Sequence, residues 1–257
     1  MQNLVPVYKP IGVTPLETVQ KFKLAHPEFA HTKIGYAGRL DPLAHGVLLL
    51  MIGEETKKRE TYLALQKSYE FQTIFGLQTD TYDILGLLNE TKQKTSPKNV
   101  NLIVNTFVNK HLGKQVQFYP PYSSKTVEGK PLFWWARNGK LSKIEIPTRE
   151  IEIVEFKVSS IDEITNKELK PLVYKSIHSV IGDFRQKEIE NRWNIYFSQS
   201  NSKEVMPKIT FKITCSSGTY IRELVNQMGR EVGCGAIAID ILRSAVGNYS
   251  LVEAQKL

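Results

Sequence analysis

One stretch limits the fold of this chain more than any other: Gly35-Tyr36-Ala37-Gly38-Arg39-Leu40-Asp41-Pro42-Leu43-Ala44-His45-Gly46, followed directly by the apolar residues 47–52. Glycine frees the backbone and Asp-Pro favours a turn, so the stretch is a loop. The apolar run behind it belongs in the core, as a buried strand or a short buried helical turn, which periodicity does not separate. The loop therefore presents one carboxylate, Asp41, at the edge of a core element. Taken alone, this is an ordinary Asp-Pro turn. The patterns G-x-x-x-x-G-K-[ST] and G-x-G-x-x-G are absent, so no nucleotide cofactor is expected.

The remaining periodicities place this loop in an α+β fold. Residues 4–8 read as a short strand ending at Lys9-Pro10. Thr14-Pro15-Leu16-Glu17 is a capping box with proline at the first helical position, which predicts a helix over about 15–26. Residues 54–66 are charged and helix-permissive. Over 67–75, Tyr69, Phe71, Thr73 and Phe75 alternate with Ser68, Glu70, Gln72 and Ile74, the period of a strand. Ser96-Pro97 opens a second amphipathic helix carrying Val100, Ile103, Val104, Phe107 and Val108, with Gly113 placed to cap its end. Strands are expected at 115–118, 149–159 and 208–215, and a helix at about 220–232. Strands and helices intermixed without a strict β-α-β repeat indicate a mostly antiparallel sheet. Residues 161–205 are charged and polar with scattered aromatics, and read as a partly helical insertion, not as a separate domain, in a chain 1–257 long enough for one large domain or two intimately packed halves.

Charge narrows the partner. With 34 Lys+Arg against 26 Asp+Glu the chain carries +8, which favours a polyanion such as nucleic acid, although a solvated lysine-rich surface gives the same count. Cys215 and Cys234 are the only cysteines, without a C-x-x-C pair or His-rich tract, so no metal site is expected and both thiols read as reduced and structural. Residues 1–10 lack a signal-peptide pattern, and the run 47–52 is too short to span a bilayer. A cytoplasmic monomer without membrane contact is expected.

Five ordered blocks then give these pieces a common meaning. Lys9-Pro10 with Gly12 and Thr14 is similar to K-P-x-G-x-T, and the Gly35 to Gly46 loop to G-H-x-G-x-L-D-P-x-A-x-G. Lys67-Ser68-Tyr69 and Gly76-Leu77-Gln78-Thr79-Asp80-Thr81-Tyr82-Asp83 resemble K-x-Y and G-x-x-T-D-T-x-D. Pro120-Pro121-Tyr122-Ser123-Ser124-Lys125 resembles P-P-x-[SY]-[SA]-x-K, and Gly218-Thr219-Tyr220-Ile221-Arg222 matches G-T-Y-I-R, followed by Gly233-Cys234-Gly235-Ala236. In this order the blocks resemble the TruB family of tRNA pseudouridine synthases across almost the whole chain. The resemblance implies a mixed, bifurcated sheet flanked by helices, a substrate uridine at position 55 in the T loop of tRNA, and a reaction without metal, cofactor or energy source.

The resemblance also implies roles. Asp41 would be the covalent nucleophile, and Arg222 the arginine that keeps it ionised and oriented. Tyr69 would stack on the flipped uracil and assist proton removal from C5, and Tyr220 would lie against the target nucleotide. Ile241 and Arg243 stand at positions similar to a pocket-lining aliphatic and a nearby basic residue. Asp83 and Lys125 would contact RNA or buttress the cleft, and Lys57-Lys58-Arg59 and Arg137 would reach phosphates.

The chain also departs from the family pattern. Tyr36 stands where bacterial members carry a histidine, which keeps a stacking ring but changes its hydrogen bonding and pH response. Ser124 and Ser217 are smaller deviations. Leu257 falls soon after the last block, so the resemblance carries no expectation of the family's C-terminal PUA-type RNA-binding module within these residues. Two alternatives stand beside the tRNA enzyme: a same-fold synthase acting at another RNA position, and a catalytically silent RNA-binding or RNA-folding protein.

Overall fold

The apolar run behind the glycine-rich loop is a strand, β3 (Ala44–Ile52), buried along almost its whole length. The computed structural model describes residues 3–89 and 97–257. Around β3 the chain builds β1 (Leu4–Lys9), α1 (Pro15–Ala25), β2 (Ile34–Tyr36), α2 (Arg59–Ala64) and β4 (Lys67–Phe75). A small ribbon of β5 (Gln78–Thr79) and β6 (Leu88–Asn89) precedes α3 (Pro97–Lys110) and β7 (Gly113–Phe118). A second ribbon, β8 (Thr126–Val127) with β9 (Lys130–Pro131), leads into α4 (Leu132–Arg137). The chain closes with β10 (Thr148–Thr165), α5 (Asn166–Ser179), α6 (Gln186–Gln199), β11 (Val205–Cys215), α7 (Ile221–Val232), β12 (Ala236–Val246) and β13 (Tyr249–Ser250).

The strand order is β1-β3-β12-β4-β11-β10-β7, antiparallel except for the parallel pair β3 and β12. The sheet is therefore mixed, and it divides at β3. One edge of β3 pairs with β1 over Gly46 to Met51. The other edge is shared, with β12 on Ala44 to Gly46 and β2 on Leu50 to Ile52. Residues 37–43, which join β2 to β3, leave the sheet at this fork, and they carry Asp41.

Both faces of the sheet are covered, as the alternation of β4 demands. Phe71 and Phe75 join Val104, Phe107, Leu224 and Met228 under α3 and α7. Ile74 faces the other way, into a cluster with Leu169, Val173, Ile189 and Trp193 of α5 and α6. Packing α1 on β1 and β3 buries Val19 and Phe22, and its capping box is formed in both directions between Thr14 and Glu17. Such burial contributes about 1.5–3 kcal/mol per large apolar side chain.

Three expectations need correction or completion. Residues 161–165 lie inside β10, paired with β11, because Ile161 and Ile164 extend the same ladder, so the helical segment proper runs from α5 to α6. Its helices carry a fully buried Trp193 and close one face of the sheet, a larger share of the core than their polar composition suggests. Gly113 does not cap α3. The helix ends at Lys110, the His111 N–H and carbonyl are taken up by Phe107 and Gln115, and Gly113 opens β7 with φ +83°. The Ser96 position of the expected helix start lies outside the described residues.

Gly46 faces the backbone of Arg243 across the β3–β12 pair. Its φ is +105°, and a Cβ there would lie 2.2 Å from the carbonyl oxygen of Arg243. Gly46→Ala is therefore expected to destabilise the protein by about 2 kcal/mol or more in urea unfolding. A loss below about 0.5 kcal/mol, the size of an ordinary surface change, would contradict this packing.

Candidate active site

Arg222 organises the site. It lies in the first turn of α7, whose start is fixed by Gln117 on β7: the Gln117 side chain accepts from Tyr220 N–H at 2.8 Å and donates to the Tyr220 carbonyl at 3.1 Å. The Arg222 guanidinium is almost fully buried. Nε and Nη2 each lie 2.8 Å from Asp41 Oδ2, Nη1 donates to the Thr81 carbonyl at 2.7 Å, and Nη2 to the Tyr122 carbonyl at 3.1 Å. Asp83 Oδ2 is 3.7 Å from Nε. The buried cation thus has partners from three segments, while the Asp41 carboxylate keeps about 36% of its side chain open.

Asp83 is buried and accepts from Thr81 Oγ1 at 2.6 Å and from Leu85 N–H at 3.0 Å. Burial pushes its carboxyl up to about 6, against the pull of Arg222. It buttresses Arg222 from the side away from the main cavity, as its burial dictates.

That cavity, about 570 Å³, opens over Asp41 and is walled by Tyr36, Tyr69, Tyr220, Ile241, Arg39 and Arg149. Tyr36 ends β2, and Tyr69 comes from β4, opposite Arg243 of β12. Burial raises the Tyr69 phenol despite the neighbouring Arg243 charge. Tyr220 is pushed up to about 12, by burial first and then by the Asp41 charge, and its ring meets Tyr119 edge-on at 5.5 Å. Both rings are neutral phenols near pH 7, suited to stacking and to donating hydrogen bonds.

Arg243 also lines this cavity, beside Tyr69. It is 1% exposed, and its guanidinium donates to the carbonyls of Val47 (2.7 Å), Arg39 (3.3 Å) and Gly38 (3.3 Å), so it holds the backbone of the Asp41 loop. Lys125 stands outside the cavity walls, exposed, with Nζ 5.4 Å from the Tyr119 ring. Lys57 and Lys58 pair with Glu54 and Glu55 on the surface, Arg59 reaches the cavity wall, and Arg137 donates to the Asp183 carbonyl.

Three cations near the site received no role from the sequence. Lys9 donates to the Pro10 and Val13 carbonyls, and Lys67 to those of Leu63 and Leu65. Their place in the motif blocks was the signal available. Arg149 lies flat against Gly218, where a Cβ would come within 1.7 Å of its Nη1. Its Nε is buried without a hydrogen-bond partner among the described residues, and only Gly218 hinted at so close an approach. Among those residues no group of three or more His, Cys, Asp or Glu is arranged to hold a metal ion, and no helix is long and apolar enough to cross a membrane.

Comparison with known proteins agrees with this geometry. Residues 26–177 match the family model described as TruB family pseudouridylate synthase (N terminal domain). The chain is 30% identical over 250 residues to tRNA pseudouridine synthase B of Clostridium acetobutylicum, covering 97% of this chain and 69% of that protein. It is also 30% identical over 257 residues to the protein of the same name from Lactobacillus gasseri, covering 100% and 72%. Among solved structures, a Cbf5-Nop10-Gar1 complex superposes on 96% of this chain and 49% of its own, with a TM-score of 0.55 and 16% identity, a likeness of fold.

The buried amines set a pH dependence. Burial lowers Lys9 from 10.5 to about 7 and Lys67 from 10.5 to about 8, so the unfolded chain binds more protons between those values. Stability is therefore expected to rise from about pH 7 towards pH 10. Asp83 acts in the opposite sense at lower pH: its raised carboxyl makes stability fall as pH rises from about 4 to about 6, a loss fully present above 6. Urea unfolding at pH 7 and 9.5 should show the alkaline gain in wild type and a smaller gain in Lys9→Met. A flat or falling wild-type profile would contradict the assignment.

Proposed function

This chain belongs to the TruB family of pseudouridylate synthases, and from that premise we propose that it converts uridine 55 in the T loop of tRNA to pseudouridine, with Asp41 as nucleophile and without a cofactor. The observation that carries this reading is the Asp41 carboxylate, oriented by buried Arg222 and one-third open to a cavity walled by three tyrosines. An extruded base fits such a cavity by stacking, and the reaction needs one oriented nucleophile. The N1–C1′ bond breaks and a C5–C1′ bond forms, while C5 loses a proton and N1 gains one, so no co-reactant enters. Attack on the base and attack on the ribose both use the same carboxylate.

The other residues serve substrate capture. Tyr69 and Tyr220 give the uracil its faces, Ile241 its apolar floor, and Tyr36 a ring at the entrance that stacks in the opened T loop. Arg243 acts through the loop backbone it holds, and Asp83 through Arg222. Arg39, Arg59, Arg149 and Lys125 surround the opening with positive charge suited to phosphates. We read the protein as a cytoplasmic monomer with one catalytic domain, to which α5 and α6 are an addition.

Incubating the protein with unmodified tRNA transcripts and mapping pseudouridine by chemical labelling and primer extension tests this directly. Modification is expected at one T-loop uridine. Modification elsewhere would select the same-fold synthase of another RNA position, and tRNA binding without any modification would select the silent RNA-binding protein.

A further inference from the structure

We propose that Arg185, at the junction of α5 and α6, is a positioning residue for the Asp41 and Arg222 pair. The proposal rests on the synthase reading above and adds to it a control point supplied by the helical segment. Arg185 is the residue before α6 and adopts φ +63°, ψ +27°, a left-handed conformation that costs an arginine energy glycine would not spend. Backbone strain of this kind persists where the surroundings hold it in place. Here the side chain is what is held.

Its guanidinium is mostly buried. Nη1 donates to Asp80 Oδ2 at 2.8 Å, and the guanidinium carbon lies 4.4 Å from the centre of the Tyr122 ring. Asp80 and Tyr122 belong to two different segments. Asp80 Oδ1 accepts from Leu87 N–H at 2.8 Å and closes the turn that contains Thr81 and Asp83. The Thr81 and Tyr122 carbonyls are the two backbone acceptors that fix Arg222. One side chain therefore clasps both segments on which the arginine behind Asp41 depends. The connection that presents it is itself anchored, through Arg137 of α4 on the Asp183 carbonyl at 2.9 Å and Ile181 N–H on the Gly12 carbonyl at 3.2 Å.

A remote clasp of this kind acts on geometry, and small displacements of a reacting group cost rate more than binding. Arg185→Gly isolates the effect, because glycine keeps the left-handed backbone at no cost and removes only the side chain. In single-turnover assays on a tRNA transcript, the maximal rate of Arg185→Gly is expected to fall about 10- to 100-fold while tRNA affinity is retained. Arg185→Lys, which restores a charge for Asp80 but not the flat contact with Tyr122, should recover part of the rate. Thermal melts should show both variants fully folded at the assay temperature, with any lowering of the Tm leaving no unfolded protein there.

An unchanged maximal rate in Arg185→Gly would overturn the proposal. So would weaker tRNA binding at unchanged rate with a salt slope reduced by about one, the mark of a phosphate contact. A rate loss accounted for by unfolded protein in the melts would overturn it as well. Failure of the synthase reading itself would appear separately, in the wild-type control of the same assay.

Discussion

The buried Arg222 guanidinium is the constraint on which the rest depends. A cation removed from water costs several kcal/mol unless it is paired and fully hydrogen-bonded, and removing one partner of such a pair typically costs about 3–5 kcal/mol. Arg222 meets the requirement only when the Asp41 loop, the turn holding Thr81 and Asp83, and the segment at Tyr122 arrive together. Folding and placement of the carboxylate are thus one problem. Arg243, Lys9 and Lys67 repeat the solution nearby, each buried and each satisfied by backbone carbonyls. The partly open Asp41 carboxylate sits near the buried Arg222 and Arg243 guanidiniums and the buried amines of Lys9 and Lys67, a field that suits its orientation.

The division of the sheet at β3 gives this arrangement its room. Because β2 and β12 share one edge of β3, the loop between β2 and β3 emerges at the fork instead of lying along a continuous edge. Arg243 of β12 then reaches the loop carbonyls from within the sheet, and Gly46 allows β3 and β12 to approach as closely as this requires. Asp41 and Arg222 line two cavities, one walled by tyrosines and one of about 410 Å³ reaching Phe133, Phe184 and Arg185. The helical segment after β10 therefore borders the Asp41 and Arg222 pair from behind.

Much of this was legible in the sequence. The capping box at Thr14 and the alternation along β4 are local signals, and local physics set both elements. The meeting of Asp41 with Arg222, 181 residues apart, was not local and came from ordered motifs alone. What stayed hidden has physical reasons. The strand β12 carries Asp240 and Arg243 within an apolar run, and Arg243 is buried for its hydrogen bonds to a distant loop, a reason that no pattern records. The boundary at residue 161 was misread because the end of β10 is largely exposed, so its composition looks like a linker. Lys9, Lys67 and Arg149 received no role because their carbonyl partners and the flat face of Gly218 are set by tertiary contacts that no local pattern records.

The central claim is that the carboxylate held by Arg222 forms the covalent bond, and Asp41→Asn tests it most directly. An amide keeps the shape of the side chain and loses its nucleophilicity. Single-turnover assays beside tRNA-binding measurements should show no detectable pseudouridine from the variant, with tRNA affinity retained within a few-fold. Pseudouridine formed at a rate comparable to wild type would contradict the account.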